Sequence, residues 1–155
     1  MARFLFLLLA FPLVAQDYPE ITAFLASRDP VFQQYQQEVQ SYNAAYARGR
    51  PPGPLLFFRY RVPEGMDLLS VAARFSHRYD TLATLNRIDR STASLAGKIL
   101  IIPTQPGLFL FHEKGGPLQE FIRGGRTADN NMREVRVVVE GKPQAALFLP
   151  EEQFN

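Results

Sequence analysis

A chain of 155 residues can hold one or two small domains but not a large enzyme core. Its 46% hydrophobic and 21% charged residues are ordinary for a globular protein, and a formal net charge of +2 is too small for a protein built mainly to neutralise phosphates. The absence of cysteine excludes disulfides, thiolate zinc sites, cysteine nucleophiles and a lipid-anchored cysteine.

Residues 1–15 are typical of a secretory signal peptide. A short basic start with Arg3 precedes an almost wholly apolar run over residues 4–14, and Ala15-Gln16 offers a cleavage point. The run is short for a membrane span, which needs roughly 20 residues. Gln16 stands where a bacterial lipoprotein would carry its acylated cysteine. We therefore expect a periplasmic or secreted protein, exported without lipidation and without stable membrane insertion after cleavage; a buried N-terminal helix is the alternative.

Residues 16–49 are predicted to be helical, in two parts. A short helix over residues 19–27 could bury Ile21, Phe24 and Leu25, and Asp29-Pro30 then begins a second helix that ends at Gly49. The apolar positions of this second helix recur every three or four residues: Val31, Tyr35, Val39, Tyr42 and Tyr46. We interpret them as its inner face; a sugar-stacking platform or a surface that holds a protein partner are alternatives. The proline-rich residues 50–57 form a stiff linker.

Residues 58–103 have the pattern of a strand, two helices and a second strand. Residues 58–62 alternate apolar and arginine positions, as in a half-buried strand, and residues 99–102 form an apolar second strand. The first helix has Asp67 as its cap and an apolar stripe at i, i+3, i+4 and i+7, formed by Leu68, Val71, Ala72 and Phe75. The second helix is predicted over residues 81–85, with Asp80 as its cap and Asn86 at its end.

These residues resemble the LysM domain, a small module that binds N-acetylglucosamine polymers such as peptidoglycan and chitin. The family's spaced pattern is matched at Tyr60, Val62, Gly65, Leu68, Val71, Ala72, Phe75, Asn86, Ile88, Gly97, Leu100, Ile102 and Pro103. Met66-Asp67 stands where Asp-Thr is usual. The resemblance implies an α+β fold with a two-stranded antiparallel sheet and two helices on one face, preceded by a helical segment and followed by a small β-rich segment.

The resemblance also implies a sugar groove between the loop after the first strand and the loop after the second helix. The ligand-binding residues it implies are Gly65, Met66, Asp67, Leu68, Asn86, Arg87, Ile88, Asp89 and Leu95. Gly65 would let the backbone approach the sugar, and Met66 could pack against an acetyl methyl group. Asp67 is either a helix cap alone or a cap that also accepts a sugar hydroxyl. Arg87 and Arg90 could meet the carboxylates of peptidoglycan stem peptides.

Residues 104–155 are predicted to be a β-rich spacer. Residues 108–111 are a candidate strand, and residues 117–123 could form one or two helical turns. Residues 133–140 and 144–149 are expected to pair as a β-hairpin across Gly141-Lys142-Pro143. The hairpin would carry Val135, Val137 and Val139 on one face.

No catalytic constellation is evident in the sequence. His77 and His112 lack the spacing of zinc-peptidase ligands, and we interpret His77 as an exposed residue that interacts with the dipole of the first helix. The carboxylate pairs Glu113/Glu120 and Glu151/Glu152 are expected to be solvated.

We therefore expect a non-catalytic, cell-wall-associated protein that binds peptidoglycan or a related polymer, with no metal, cofactor or nucleic acid. A cell-wall hydrolase is a candidate partner. The alternative is that this chain is the N-terminal targeting portion of a cell-wall zinc metallopeptidase whose catalytic domain is absent from it, because LysM modules commonly precede such domains.

Overall fold

A computed structural model describes residues 17–22, 28–89, 94–111 and 132–151 and has an α+β fold. The elements are β1 (Glu20–Ile21), α1 (Pro30–Ala47), β2 (Phe57–Arg61), α2 (Leu68–Arg74), α3 (Tyr79–Asn86), β3 (Ile99–Pro103), β4 (Gly107–Phe111), β5 (Arg133–Val139) and β6 (Lys142–Pro150). The strands form two sheets, ordered β1-β2-β3 and β4-β6-β5. Within the described ranges, no helix has the length and apolar character to cross a membrane. The predicted signal peptide and the helical turns expected at residues 117–123 lie outside those ranges.

The first sheet has three strands, not the predicted two. β2 and β3 are antiparallel, as expected, with Arg59 opposite Ile101. β1 is parallel to β2, with Ile21 opposite Tyr60 and buried, so the short helix predicted over residues 19–27 is wrong at Glu20–Ile21. The carbonyl of Pro19 accepts the Arg59 N–H at 2.8 Å, and this long-range pairing decides the conformation of the two residues that follow. Phe24 and Leu25, the other two residues that this helix was expected to bury, lie outside the described residues.

Helix α1 begins as the sequence predicts. The side chain of Asp29 accepts the N–H of Val31 at 2.8 Å, and Pro30 occupies the first helical position. Tyr35 and Tyr42 face inward, whereas Tyr46 is 52% exposed. The tyrosine positions are therefore an inner face over most of the helix but not at its last turn.

Helices α2 and α3 lie between β2 and β3 in the chain. Asp67 caps α2 as predicted, accepting the Ser70 N–H at 2.8 Å. Helix α3 begins at Tyr79, so Asp80 lies inside its first turn and is not its cap. Arg87, not Asn86, takes the left-handed conformation that closes α3, with φ of 54°.

The first core lies between one face of the β1-β2-β3 sheet and helices α1, α2 and α3. Its centre is a group of aromatic rings around Phe75, whose ring centroid lies 4.9 Å from that of Tyr60 and 5.4 Å from that of Tyr35. The other main members of this core are Phe32, Phe58, Val62, Leu68, Val71, Leu82, Leu95, Leu100 and Ile102. This cluster contains the whole apolar stripe predicted for the first helix of residues 58–103, and α1 adds Phe32 and Tyr35 to it.

A second core covers part of the opposite face of the same sheet. Phe57 and Ile101 pack there against Leu85 of α3 and the β4-β6-β5 sheet, which contributes Phe109, Phe111, Val137, Ala146 and Phe148. The predicted linker therefore ends before Phe57, which is buried in β2. The described part of residues 104–155 shares a core with the first sheet, so it is not a spacer that stands apart from it.

The hairpin of β5 and β6 forms as predicted, with Val137 buried and Val135 and Val139 packed on the second core. Its turn consists of Glu140 and Gly141, with φ of 50° and 74°, so it is shorter and earlier than the expected three-residue connection. Two positive φ values are the mark of the turns that match the twist of paired strands.

Helix α3 connects the two sheets. The hydroxyl of Thr81 accepts the Gly107 N–H at 3.1 Å, and that of Thr84 accepts the Phe109 N–H at 3.2 Å. Both N–H groups belong to the outer edge of β4. The helix thus contributes side chains to both cores and to the edge of the second sheet.

Candidate functional site

The first loop of the predicted site, residues 65–68, divides into exposed and buried parts. Gly65 is exposed with φ of 77°, a conformation that favours glycine. Met66 is half-buried, and its Sδ lies 3.8 Å from the donating hydroxyl of Tyr60. Leu68, in contrast, is fully buried in the first core and cannot contact a ligand there. Its neighbour Leu69, which the sequence prediction omitted, is 63% exposed.

Asp67 is exposed on this loop and is the N-cap of α2. Its carboxylate accepts the Ser70 N–H, and hydrogen bonds from Ser70 lower its pKa. The carboxylate is therefore charged at neutral pH and still has lone pairs that a ligand hydroxyl could reach.

The side chain of Asn86 is committed to the protein. Its Nδ2 donates to the carbonyls of Leu82 at 3.0 Å and Ile101 at 2.9 Å. Its Oδ1 accepts the Ile101 N–H at 2.7 Å. Both amide hydrogens are thus used internally, and Asn86 closes the outer edge of β3 in the way a neighbouring strand would.

The other residues of the second loop point to different parts of the molecule. The Arg87 guanidinium lies 4.3 Å from the ring centroid of Phe111 and donates to Gln144, so it is directed to the second sheet. Ile88 is half-buried on the first core, and Asp89 is exposed. Leu95 is buried in the first core, and Arg90 lies outside the described residues.

One residue from each loop of the predicted site packs against the first core. Met66 of the first loop and Ile88 of the second loop are both half-buried against the first core. We call these two residues and their exposed neighbours the two-loop surface. Its members are Gly65, Met66, Asp67, Leu69, Ile88 and Asp89.

A groove of about 1100 Å³ is lined by the second loop, including Ile88 and Asp89 of the two-loop surface. The second loop forms one wall of this groove, and the first residues of β3 form another. Arg59 and Arg61 of β2, the segment around Tyr18 and the end of the β5-β6 hairpin also line it. The first loop, residues 65–68, does not line it. Sequence reasoning missed the groove, although the arginines that alternate with the apolar residues of β2 were its signal.

The arginines of the groove are paired with acidic side chains. Arg59 lies 3.2 Å from Asp17 and 3.5 Å from Glu20, and Arg61 lies 3.6 Å from Glu20. Arg61 also donates to the Gly97 carbonyl at 3.4 Å. These contacts hold the N-terminal segment against β2.

His77 is not the exposed residue that the sequence suggested. Its Nε2 lies 2.6 Å from the Pro103 carbonyl oxygen and 2.9 Å from the Tyr35 hydroxyl. Because a carbonyl only accepts, Nε2 carries the proton and donates to Pro103. Nδ1 is buried and has no hydrogen-bond partner among the described residues, and burial lowers the pKa of His77. Burial also raises the pKa of the neighbouring Tyr35 hydroxyl, which is therefore neutral.

The described residues contain no group of three or more His, Asp, Glu or Cys side chains arranged to hold a metal ion. Comparison of the chain with protein-family models, with curated proteins and with solved structures gives no match in any of the three.

Proposed function

We propose that this chain is an exported, non-catalytic protein that binds an N-acetylglucosamine polymer, peptidoglycan in particular, through the two-loop surface. The observation that carries the proposal is the arrangement of β2, α2, α3 and β3. Its two strands pair antiparallel, and each of its two loops contributes a half-buried apolar residue, Met66 or Ile88, to the same core. That arrangement is what a resemblance to the LysM domain implies for residues 58–103.

The chemistry of the two-loop surface suits a neutral acetylated sugar. Met66 and Leu69 offer apolar atoms to an acetyl methyl group, and Gly65 is exposed, with open space where a Cβ would stand. The carboxylate of Asp67 can accept a hydroxyl hydrogen while it caps α2. A shallow surface of this kind binds weakly on its own, which suits a targeting role and a cell-wall hydrolase as the partner to test first.

The choice of peptidoglycan and the periplasmic or secreted location rest on the apolar N-terminal segment. This segment has the basic start and the short apolar run of a bacterial export signal. A protein delivered across the inner membrane would meet peptidoglycan before chitin.

Co-sedimentation with insoluble peptidoglycan tests the proposal, with Gly65→Trp as the main variant. A tryptophan at Gly65 would stand on the two-loop surface, and we expect about tenfold weaker binding, which corresponds to about 1.4 kcal/mol. Gly49→Trp is the matched control, because Gly49 also has a positive φ, of 61°, and open space at its Cβ position. Equal loss in both variants, or binding that Gly65→Trp leaves unchanged, would contradict the proposed surface.

A second pair of variants uses exposed apolar residues. Leu69 and Tyr46 are both large, apolar and more than half exposed, at 63% and 52%. We expect Leu69→Glu to weaken glycan binding and Tyr46→Glu to leave it unchanged. The reverse result would move the binding surface to the last turn of α1.

A further inference from the structure

The groove beside the second loop lies next to the outer edges of two different sheets. The first residues of β3, an edge strand of the first sheet, line it, and so does Val138 of β5, an edge strand of the second sheet. Strand edges present backbone N–H and C=O groups that an extended chain can pair with.

The β3 edge is only partly closed. The backbone of Ile101 is bonded to Asn86, and the Pro103 carbonyl accepts from His77. Alternate residues of an antiparallel strand direct their backbone groups to the same side. The N–H and C=O of Ile99, two residues before Ile101, therefore also point outward, at a position that lines the groove.

The β5 edge reaches the groove near the turn of the hairpin. The N–H of Val138 donates to the hydroxyl of Tyr18 at 2.8 Å, so this edge faces the N-terminal segment that lines the groove. Val138 lies opposite Pro143, which has no N–H to offer, and this agrees with an outward direction for the Val138 backbone.

The charges in the groove are of both signs. Arg59 and Arg61 are engaged with Asp17 and Glu20. Lys98, Asp89 and Glu140 are exposed and line the groove, and within the described ranges no ion pair includes them. The groove thus offers one ammonium group and two carboxylates to a ligand.

We propose that this groove binds a short, extended, zwitterionic peptide, namely the stem peptide that a peptidoglycan strand carries. This inference rests on the proposed function, since Ile88 and Asp89 belong to the two-loop surface and also line the groove. A ligand carboxylate would meet Lys98, and a ligand amine would meet Asp89 or Glu140. One peptide unit would pair with the N–H and C=O of Ile99. The volume of about 1100 Å³ is ample for a peptide of a few residues.

Calorimetric titration of the full chain tests the inference with four probes. They are a disaccharide that carries its stem peptide, a glycan strand freed of stem peptides, a chitin tetrasaccharide and the free stem peptide. We expect the peptide-bearing disaccharide to bind about tenfold more tightly than the peptide-free strand, the equivalent of one charge-assisted hydrogen bond.

Lys98→Glu should abolish that tenfold advantage and leave the chitin affinity unchanged. Lys142→Glu is the matched control, because Lys142 is also exposed but does not line the groove. Circular dichroism of both variants verifies that they fold. Equal affinities of the wild-type chain for peptide-bearing and peptide-free glycans, or equal effects of the two lysine variants, would overturn the inference.

The two proposals fail in different ways. If the wild-type chain binds neither the peptide-free strand nor chitin, the proposed function is wrong. A loss of free-peptide binding in Lys98→Glu alone would then still support a peptide groove. If both glycans bind and the stem peptide adds nothing, the sugar surface stands and the groove proposal is wrong.

Discussion

The two faces of the β1-β2-β3 sheet are built by the same strands and meet different surroundings. The face with Phe58 and Tyr60 packs against helices α1, α2 and α3, whereas on the opposite face Phe57 and Ile101 pack against Leu85 of α3 and the second sheet. Farther along that opposite face, Arg61 lies at the open groove. On this face of β2, the end that carries the apolar Phe57 is therefore packed against the second sheet, and the end that carries the charged Arg61 lies at the groove. The residue type at each position of the strand decides which of the two occurs.

The largest expected effect comes from the centre of the second core. Phe109 is buried, with ring centroids 4.8 Å from Phe148 and 6.0 Å from Phe57. We expect Phe109→Ala to lower the free energy of unfolding by about 3–5 kcal/mol, similar to Phe58→Ala in the first core. Urea unfolding followed by circular dichroism should show one transition that shifts in both variants.

If Phe109→Ala left the main transition in place and produced a separate early one, the second face would be an independent unit. The two cores would then unfold separately, each with its own free energy of unfolding, and not in one cooperative transition.

A smaller loss of stability is expected at the outer edge of β3, where Asn86 bonds the backbone of Ile101. Asn86→Ala would leave the N–H and C=O of Ile101 without their partner, and each such group costs about 1–3 kcal/mol when buried. We expect a loss of about 2–3 kcal/mol in the free energy of unfolding and faster hydrogen exchange at Ile101. Asn43→Ala on the exposed side of α1 is the control, and equal stability of the two variants would contradict the edge-closing role of Asn86.

The smallest effect concerns the helix-covered face and depends on pH. Burial is the main cause that lowers the pKa of His77, opposed by the Pro103 carbonyl and the charge of Glu151, with the neutral Tyr35 hydroxyl beside it. Because the folded pKa lies below the unfolded value of 6.5, the unfolded chain takes up the proton first. Stability should therefore fall as pH drops below about 6.5, by at most about 1.4 kcal/mol per pH unit.

Urea unfolding at several pH values between 7.5 and 5 measures this dependence. His77→Gln should reduce the slope relative to the wild-type chain, because it removes the imidazole that takes up the proton on unfolding. An identical slope in the two proteins would show that His77 does not titrate with folding.

Local signals in the sequence predicted much of the fold. The caps Asp29 and Asp67 and the β5-β6 hairpin depend on neighbouring residues, and the structure confirms them. Strand β1 could not be predicted, because two residues carry no period and their pairing with β2 is made across the whole of α1. The second core was missed for a related reason: Phe57 and Leu85 are covered by strands that lie later in the chain.

The candidate site shows the same division. Leu68 was assigned both to the apolar stripe of α2 and to the ligand, and a fully buried residue can serve only the first role. The sequence predicted Asn86 as the end of the second helix and a ligand-binding residue, and His77 as an exposed residue at the end of the first helix. Their roles depend on Ile101 and Pro103 of β3, which only the folded chain brings near.

The hydroxyls of Thr81 and Thr84 have a consequence for how this molecule behaves among its own copies. They occupy the N–H groups of Gly107 and Phe109, which a passing polypeptide would otherwise use to extend the second sheet. At these two positions of β4 no N–H is left for another chain to bond, which disfavours self-association by strand addition there.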